Sequence, residues 1–300
     1  MQENLDNFCG VPDEWLPEEG VKKTDFVESK VVVLPVPYEK TTTYLKGTSK
    51  GPMAIIEASK NIEFYDEELD WVPAKVGIFT TVPLKAERLS EKMMESIKNK
   101  SLEIVNAQKF PILLGGEHSI SFGFYQALKE KYPDISVLQL DAHADLRDSY
   151  NGSKHNHACV MRRIRESCEN VVQVGVRSLS SQESDFIKAN SCKVFWAKDI
   201  YKKINTEQIL SGLSNNVFVT IDIDVLDPSL LPSTGTPEPG GLGWYDVLGL
   251  LRELSKKKKI VGFDVVEVCP SRENKSCDFI AAKLIYKLIG YIFINQKGEK

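Results

Sequence analysis

Residues 137–145 read VLQLDAHAD, a short apolar run that passes directly into acidic and imidazole side chains. The run VLQL has the length and branched apolar residues of a strand buried on both faces of a parallel sheet. Because alternate side chains of an extended chain share a side, Asp141, His143 and Asp145 are expected to converge just beyond the strand end. The stretch therefore predicts an α/β fold with metal-ligand chemistry at the end of a strand.

Strand-like and helix-like segments alternate along the whole chain. Apolar runs predict strands at 30–36, 76–79, 111–115, 135–140, 171–176, 193–196, 217–223 and 260–266. Helical patterns cover 52–60, 88–108, 120–131, 158–167, 182–190, 206–213, 244–257 and 277–295, and Ser119 is expected to cap the third of these helices. This order predicts a three-layer α/β/α fold around a mostly parallel sheet of roughly eight strands. A single domain is expected over residues 1–300, with 1–25 as a polar leader.

Composition places the chain among ordinary globular proteins. Its 300 residues are 42% hydrophobic and 27% charged, with a net charge of −4. The acidic balance argues against a nucleic-acid partner, and no run reaches the roughly 18 apolar residues of a membrane span. The N-terminus lacks a secretory signal, and none of the six cysteines forms a CxxC pair. We therefore expect a cytoplasmic protein with reduced thiols and with no membrane or nucleic-acid partner.

Two further motifs follow apolar runs. Residues 113–119 read LLGGEHS, and residues 217–224 read VFVTIDID. Ligands of open α/β sheets bind beyond the carboxyl ends of the strands, so His118, Asp222 and Asp224 would join the DAHAD side chains there. A lone Asp-x-Asp is more often a turn, and a lone histidine after glycines is more often a loop residue. The three motifs together indicate a metal site, because so many crowded acids would repel one another without cations.

Together the motifs offer two imidazoles and four carboxylates, enough for two divalent ions. This oxygen-rich set favours Mn²⁺ or a similar first-row ion over a structural zinc site, which prefers thiolates and imidazoles. A water shared by two such ions becomes a hydroxide nucleophile near neutral pH. The sequence therefore predicts a binuclear metallohydrolase.

These motifs resemble those of the ureohydrolase family, which includes arginases and agmatinases. The resemblance is carried by GGEHS at 115–119, DAHAD at 141–145, TIDIDVLDP at 220–228, TGTPEPGG at 234–241 and DVVEV at 264–268. It runs from about residue 31 to the C-terminus with the order intact. It implies an arginase-like fold in a single ureohydrolase domain, hydrolysis of a guanidinium carbon to urea and a primary amine, and a homo-trimer or homo-hexamer.

The resemblance also implies a ligand set for two Mn²⁺ ions, with other first-row divalent ions open. One ion would be held by His118, Asp141, Asp145 and Asp222, and the other by Asp141, His143, Asp222 and Asp224. In this scheme Asp141 and Asp222 bridge the two ions. Asp145 would in addition accept a hydrogen bond from the attacking hydroxide and orient it.

Further roles follow from the resemblance for Glu267 and His157. Glu267 would bind the guanidinium, which when buried requires a hydrogen-bonded anion. His157 would carry protons to the leaving amine, a task suited to an imidazole with a pKa near ~6.5. Two interpretations of Asp264 stay open: it is an acid that supports the site, or a strand-end residue whose hydrogen bonds are satisfied. His155 has no family counterpart and is expected in a loop.

The choice of guanidine depends on less distinctive residues. Serines at 178 and 180 stand where arginases carry aspartates that read the substrate's α-amine, so the resemblance favours agmatine, giving putrescine and urea in polyamine biosynthesis. Aminopropyl-agmatine, guanidinobutyrate and arginine stay open, and the loop 39–51 is either a pocket wall or an ordinary surface loop. A catalytically silent metal-binding relative and another metallohydrolase, such as a deacetylase, are disfavoured because all six ligand residues, His157 and Glu267 are present.

Overall fold

The computed structural model describes residues 6–10, 21 and 25–294. Within this part of the chain, one sheet is built from β1 (Val31–Val36), β2 (Ile78–Thr80), β3 (Phe110–Gly115), β4 (Ser136–Leu140), β5 (Val171–Val176), β6 (Lys193–Trp196), β7 (Asn216–Asp222) and β8 (Lys259–Val266). The strands pair in the order β2-β1-β3-β8-β7-β4-β5-β6, and every pairing is parallel. Each predicted strand overlaps an observed one, so the predicted fold class is confirmed.

The helices of the described residues cover both faces of the sheet. They are α1 (Gly51–Ser59), α2 (Ser90–Asn106), α3 (Ser121–Lys131), α4 (Val160–Arg165), α5 (Ser181–Ala189), α6 (Ala197–Ile200), α7 (Thr206–Ser211), α8 (Trp244–Lys257) and α9 (Ser276–Phe293). All eight predicted helices are present, although the predicted end of the last one, residue 295, lies outside the described residues. The short α6 was not predicted, because four residues show no helical period.

Two hydrophobic cores, one on each face of the sheet, explain the continuous apolar strands. In β1, Val31 and Val33 belong to one core, which also contains residues of α1, α8 and α9. Val32 of the same strand belongs to the other core, together with residues of α2, α3 and α4. Alternate side chains of a buried strand thus serve opposite layers, which is why these strands show no polar face.

The strand order brings the predicted functional residues to one edge. The four central neighbours are β3, β8, β7 and β4. His118 follows β3, Glu267 follows β8, Asp222 ends β7 and Asp141 follows β4. Because all strands are parallel, these four residues lie beyond the same carboxyl edge, where ligands bind in open α/β sheets.

The prediction that Ser119 caps α3 was wrong. A 3₁₀ turn, His118–Ile120, precedes α3, so the residue before the helix is Ile120, which makes no side-chain cap. The Ser119 hydroxyl instead donates to Glu117 Oε1 at 2.5 Å. The extra turn displaces the helix start by one residue from its predicted position, and the Ser119 hydroxyl binds a different acceptor.

Gly116 allows the chain after β1 to approach the GGEHS segment. A Cβ at this position would overlap the carbonyl oxygen of Tyr38. The next residue, Glu117, donates its backbone N–H to that same oxygen at 2.9 Å. A glycine is required here because two backbones meet, and the contact holds the start of the 39–51 loop against the site.

The predicted polar leader, 1–25, lies mostly outside the described residues. In its described part, Phe8 is fully buried and its backbone N–H donates to Thr80 Oγ1 at 2.9 Å. Asn7 Nδ2 donates to the carbonyl oxygen of Ile78 at 3.0 Å, so these residues lie along the outer strand β2. None of the helices in the described ranges combines the length and apolar character needed to cross a membrane.

Candidate metal centre and active site

The six predicted metal ligands come together beyond the carboxyl ends of β3, β4 and β7. Five of them are buried and the sixth, His143, is half-buried. They form two overlapping groups, each with ligand atoms within 4.8 Å of one another: His118, Asp141 and Asp145, and Asp141, His143 and Asp224. Asp141 belongs to both groups, so it lies where a bridging ligand must lie.

The first group surrounds a buried nitrogen of His118. The Oδ2 atoms of Asp141, Asp145 and Asp222 lie 3.1, 3.2 and 3.4 Å from His118 Nδ1. Among the described residues this nitrogen has no aligned hydrogen-bond partner, although it is buried. An unsatisfied buried nitrogen that faces three carboxylates is the arrangement expected of a metal ligand.

The second group is organised around His143. Its Nδ1 atom lies 2.9 Å from Asp224 Oδ2 and 3.6 Å from Asp141 Oδ1. Asp222 meets this group through the backbone, because its Oδ1 accepts the N–H of Asp224 at 3.0 Å. The side-chain oxygens of Asp141 and Asp224 therefore lie near His143 Nδ1, whereas Oδ2 of Asp222 lies near His118 Nδ1.

Hydrogen bonds from the protein aim the carboxylates inward. Asp141 accepts Gln139 Nε2 on Oδ2 and the backbone N–H of His143 on Oδ1, both at 2.6 Å. Asp224 Oδ1 accepts the backbone N–H of Ala142 at 3.0 Å. Asp145 has a left-handed backbone with φ of 52°, an uncommon conformation for a non-glycine residue and one enriched at functional sites.

A chain of two hydrogen bonds supports His118 from behind. Its Nε2 atom lies 2.9 Å from Thr220 Oγ1, and this hydroxyl donates to Asp264 Oδ1 at 2.7 Å. Since the Thr220 proton goes to Asp264, His118 donates from Nε2 and presents an unprotonated Nδ1 to the carboxylates. Ligand histidines are commonly oriented in this way, so of the two readings of Asp264 the geometry favours the supporting acid.

Without cations, the negative charges of the buried acids are poorly compensated. Burial, followed by the charge of Asp141, raises the pKa of Asp145 to about 7. Burial, followed by the charge of Asp224, raises the pKa of Asp222 well above its ordinary value. Divalent ions would relieve both effects, because an opposite charge nearby favours the ionised carboxylate. The unsatisfied His118 nitrogen and this oxygen-rich donor set thus fit two divalent ions of the Mn²⁺ type.

Glu267 lies beside the ligands on the wall of a cavity of about 230 Å³, which His118, Asp145, Asp222 and His157 also line. Its Oε1 atom accepts the backbone N–H of His118 at 2.7 Å. Its own N–H donates to the carbonyl oxygen of Gly116 at 2.8 Å, and its φ is 63°. Burial raises the pKa of Glu267 to about 8, so a cationic group in the cavity would stabilise its charged form.

His157 begins a short 3₁₀ turn, His157–Cys159, that the side chain of Asn156 caps by accepting the Ala158 N–H at 3.1 Å. Its Nδ1 atom lies 3.0 Å from Thr41 Oγ1. Burial, the largest cause, lowers the pKa of His157 to about 4. The imidazole that faces the cavity is therefore uncharged at neutral pH.

The loop 39–51 forms part of the cavity wall, which decides between its two readings. Thr42, Thr43, Tyr44 and Leu45 all line the cavity. Among the serines discussed for substrate choice, Ser178 also lines it. Ser180 instead caps α5 in a reciprocal pair with Glu183.

Several residues that shape the site were not predicted. Arg177 donates to the carbonyl oxygens of Asp224 at 2.6 Å and of Glu238 at 2.8 Å, which ties the ligand loop after β7 to the TGTPEPGG segment. Thr41 and Glu117 join the loop after β1 to His157. The position of Arg177 directly after β5 was a weak signal for it, whereas no sequence pattern pointed to Thr41.

Comparison with known proteins matches nearly the whole chain. A family model described as the arginase family matches residues 29–290. The chain is 39% identical to an N(1)-aminopropylagmatine ureohydrolase of Synechocystis sp., over 97% of this chain and 98% of that protein. It is also 39% identical to an agmatinase of Pyrococcus horikoshii, over 93% and 95%.

Solved structures agree with the sequence matches. The structure of agmatine ureohydrolase of Thermoplasma volcanium has a TM-score of 0.85 and 31% identity, covering 92% of this chain and 94% of that one. An arginase of Bacillus cereus has a TM-score of 0.73 and 25% identity, covering 87% and 98%. The region matched by the family model includes all the residues described above as metal ligands and cavity groups.

Proposed function

The chain belongs to the arginase family of amidinohydrolases, and on that premise we propose that it hydrolyses agmatine to putrescine and urea with two divalent metal ions, preferably Mn²⁺. The observation that supports this most is the position of Asp141 in both ligand groups beside the buried Glu267. Two positive ions and one buried carboxylate suit a reaction that brings a water molecule to a guanidinium carbon. A metal-binding protein without activity has no need of the buried carboxylate of Glu267.

The metal ligands and the cavity groups divide the work between them. His118, Asp141, Asp145 and Asp222 would hold one ion, and Asp141, His143, Asp222 and Asp224 the other. When bound, the ions supply Lewis-acid chemistry and lower the pKa of a water molecule. Asp145 faces the cavity and is suited to accept a hydrogen bond from the attacking water and to orient it.

Glu267 and His157 handle the substrate and its proton. The backbone N–H of His118 fixes Glu267 Oε1 at the cavity wall, so the carboxylate is already placed to pair with a guanidinium. His157 is uncharged before reaction, and its position on the cavity wall would let it take a proton and pass it to the leaving amine nitrogen. Binding by a fixed anion then holds the guanidinium carbon beside the nucleophile.

The engagement of Glu183 supports agmatine over arginine. Glu183 lines the cavity, but its Oε1 accepts the Leu146 N–H at 2.9 Å and its Oε2 accepts the Ser180 hydroxyl at 2.7 Å. Both of its oxygens are thus engaged in the fold, and Ser178 offers only a hydroxyl. The α-ammonium group of arginine would find no unengaged carboxylate among these residues. Agmatine has no α-ammonium group and needs no such partner.

N1-aminopropylagmatine is a second candidate substrate. The relative from Synechocystis, matched over 97% of this chain, carries that substrate in its name. Tyr44 lines the cavity and is 70% exposed, so a longer polyamine leaving the cavity would meet an aromatic surface. An aromatic ring attracts such a cation by about 0.5–1 kcal/mol at an exposed position.

Urea release from a set of guanidines tests the proposed function. The Mn²⁺-loaded chain is given agmatine, N1-aminopropylagmatine, guanidinobutyrate and arginine, and urea is measured. We expect the highest kcat/KM with agmatine and a value for arginine at least about tenfold lower, since a missing charge partner costs more than a missing methylene. Guanidinobutyrate is included because it carries a carboxylate and Arg147, which pairs with Glu183 at 3.7 Å, also lines the cavity.

The outcomes of this assay separate the reaction from the substrate. Urea from none of the four compounds, with two metal ions bound, would overturn the proposed reaction. A preference for N1-aminopropylagmatine or arginine would overturn only the choice of agmatine. Chelation of the metal is expected to abolish urea release and Mn²⁺ to restore it, which controls for a contaminating activity.

His157→Asn is expected to lower kcat by about 10²–10⁴-fold, the usual contribution of a positioned acid–base group. The metal content should not change, because His157 Nδ1 contacts Thr41 and is in neither ligand group. Steady-state kinetics and elemental analysis of the same samples measure both quantities. His155→Asn is the matched control, since that ring packs on Phe122 at 5.8 Å and does not line the cavity. A variant at 157 with unchanged kcat would remove His157 from the proposal.

Family membership also supports a homo-trimer or homo-hexamer that acts in polyamine biosynthesis in the cytoplasm. Light scattering on the purified chain measures the assembly. A monomer at working concentration would overturn this part of the proposal without affecting the reaction.

A further inference from the structure

The hydroxyl of Thr41 lies between the carboxylate of Glu117 and the ring of His157. Thr41 Oγ1 is 2.7 Å from Glu117 Oε1 and 3.0 Å from His157 Nδ1, and it also accepts the backbone N–H of His157 at 3.1 Å. We propose that Thr41 and Glu117 fix the tautomer of His157, so that the neutral ring carries its proton on Nδ1 and keeps Nε2 as a proton acceptor. This inference rests on the role of His157 in the proposed function.

Glu117 acts only as an acceptor in this network. It is fully buried, and its Oε2 atom accepts the backbone N–H groups of Lys40 and Thr41, both at 2.5 Å. Backbone N–H groups cannot reverse their direction. Its Oε1 atom is 2.5 Å from the Ser119 hydroxyl and 2.7 Å from the Thr41 hydroxyl. A carboxylate has no proton to give, so both hydroxyls donate to it.

The hydrogen-bonding capacity of Thr41 then determines the state of His157. A hydroxyl has one proton and two lone pairs. The proton goes to Glu117, and one lone pair accepts the backbone N–H of His157. The remaining lone pair faces His157 Nδ1 at 3.0 Å, so this nitrogen must be the donor. The other ring nitrogen, Nε2, is left unprotonated in a side chain that lines the cavity.

The network is held in place by the two backbones that meet at Gly116. The N–H of Glu117 donates to the carbonyl oxygen of Tyr38 at 2.9 Å, three residues before Thr41. Thr41 and Glu117 are thus attached to the sheet through β1 and β3, while His157 lies on a separate turn. Thr41 comes from the loop after β1, which otherwise forms cavity wall, and Glu117 comes from the segment after β3.

A fixed Nδ1–H tautomer sets the order of the proton transfers. Nε2 of the resting ring takes one proton from the attacking water and becomes an imidazolium. The same proton passes to the leaving nitrogen as the carbon–nitrogen bond breaks, and the ring returns to the neutral Nδ1–H form. The proton that remains on the oxygen bound to carbon is released to solvent, which gives neutral urea. The opposite tautomer has no acceptor toward the cavity and would need a rearrangement before the first transfer.

Glu117→Gln is the sharpest test, because it keeps the shape of the side chain while the group that faces Thr41 changes from an acceptor to a donor. The amide oxygen can take the place of Oε2 and accept the two backbone N–H groups, which places the amide NH₂ opposite Thr41 and Ser119. Thr41 must then accept from the amide and donate its proton to His157 Nδ1. We expect the His157 proton to move to Nε2 in this variant.

The tautomer is read directly by ¹⁵N NMR of histidine-labelled full-length chain loaded with diamagnetic Mg²⁺. The chain has four histidines, and the His157 signals are those lost in His157→Asn. In the wild type the unprotonated nitrogen, which resonates well downfield of a protonated one, should be Nε2. In Glu117→Gln it should be Nδ1. Ser119→Ala, which removes a different donor to Glu117, should keep the wild-type pattern.

Two variants of Thr41 complete the test. Thr41→Ser keeps the hydroxyl and should keep the Nδ1–H tautomer, whereas Thr41→Val removes it and should give a mixture of both. Glu117→Gln is expected to lower kcat by about 10–100-fold, part of the contribution of a positioned base, with KM changed less than about twofold. A wild-type ring protonated on Nε2, or an unchanged tautomer in Glu117→Gln, would overturn the inference. If the tautomer behaves as expected but His157→Asn is fully active, the proposed role of His157 fails while the inference on its tautomer stands.

Discussion

Asp141→Ala is expected to lose both metal ions and to lower kcat by at least about 10⁴-fold, because the activated water is lost with the ions. Asp141 Oδ2 lies 3.1 Å from His118 Nδ1 and Asp141 Oδ1 lies 3.6 Å from His143 Nδ1, so a single truncation removes an oxygen from both ligand groups. Elemental analysis after dialysis against a low concentration of Mn²⁺ measures the ions per chain, and urea release measures kcat.

Variants of neighbouring residues make this result specific. His118→Ala removes a ligand from one group only and should lose one ion in preference to the other. Asp222→Ala should weaken both if Asp222 bridges as proposed. Asp148→Ala is the control, since this acid is paired with Arg163 on the outside of the same loop and lies in neither ligand group. One tightly bound ion retained in Asp141→Ala would contradict the bridging assignment.

Glu267→Gln is expected to lower kcat/KM for agmatine by about 10²–10³-fold while both metal ions are retained. Truncating one partner of a buried charge pair costs about 2–5 kcal/mol, and each ~1.4 kcal/mol corresponds to a factor of ten. The glutamine still has an oxygen to accept the backbone N–H of His118, so the ligands should keep their positions. Kinetics with agmatine and metal analysis of the same preparation test the two halves of this expectation.

The control for Glu267→Gln is Glu273→Gln, an exposed acid in the loop that follows β8. It removes one negative charge from the same loop without touching the cavity, so kcat/KM should stay within about twofold of the wild type, as for ordinary surface substitutions. A Glu267→Gln variant with normal kcat/KM would exclude Glu267 as the guanidinium partner. Loss of metal in that variant would instead assign Glu267 to the support of His118.

The sheet and the clustering of the proposed ligands at its edge were predictable because both follow from short-range rules. Apolar runs of five or six residues mark buried strands, and the residues that follow them must lie at one edge of a parallel sheet. Asp141 and His143 needed nothing more than this alternation. The prediction for Ser119 failed because a cap depends on where the helix begins, and an extra 3₁₀ turn moved that point.

The supporting residues were not predictable for a different reason. Thr41 and His157 are 116 residues apart in the chain, and Glu117 is 76 residues from Thr41. No period or spacing relates such positions, since only the folded sheet brings the loops together. Ser180 is a different case, because the spacing from Ser180 to Glu183 is itself the signature of a capping box and can be read from the sequence.

Because the proposed metal ligands follow central strands, the proposed reaction and the choice of substrate depend on different parts of the chain. The proposed reaction depends on residues that follow β3, β4, β7 and β8, the adjacent strands at the middle of the sheet. The outer wall of the cavity comes from other segments, including Thr42–Leu45 after β1 and Ser178 after β5. Exchange of those outer loops between relatives is thus a route by which the same hydrolytic centre can come to act on other guanidino substrates. Thr41 is the position at which such an exchange would also disturb the chemistry.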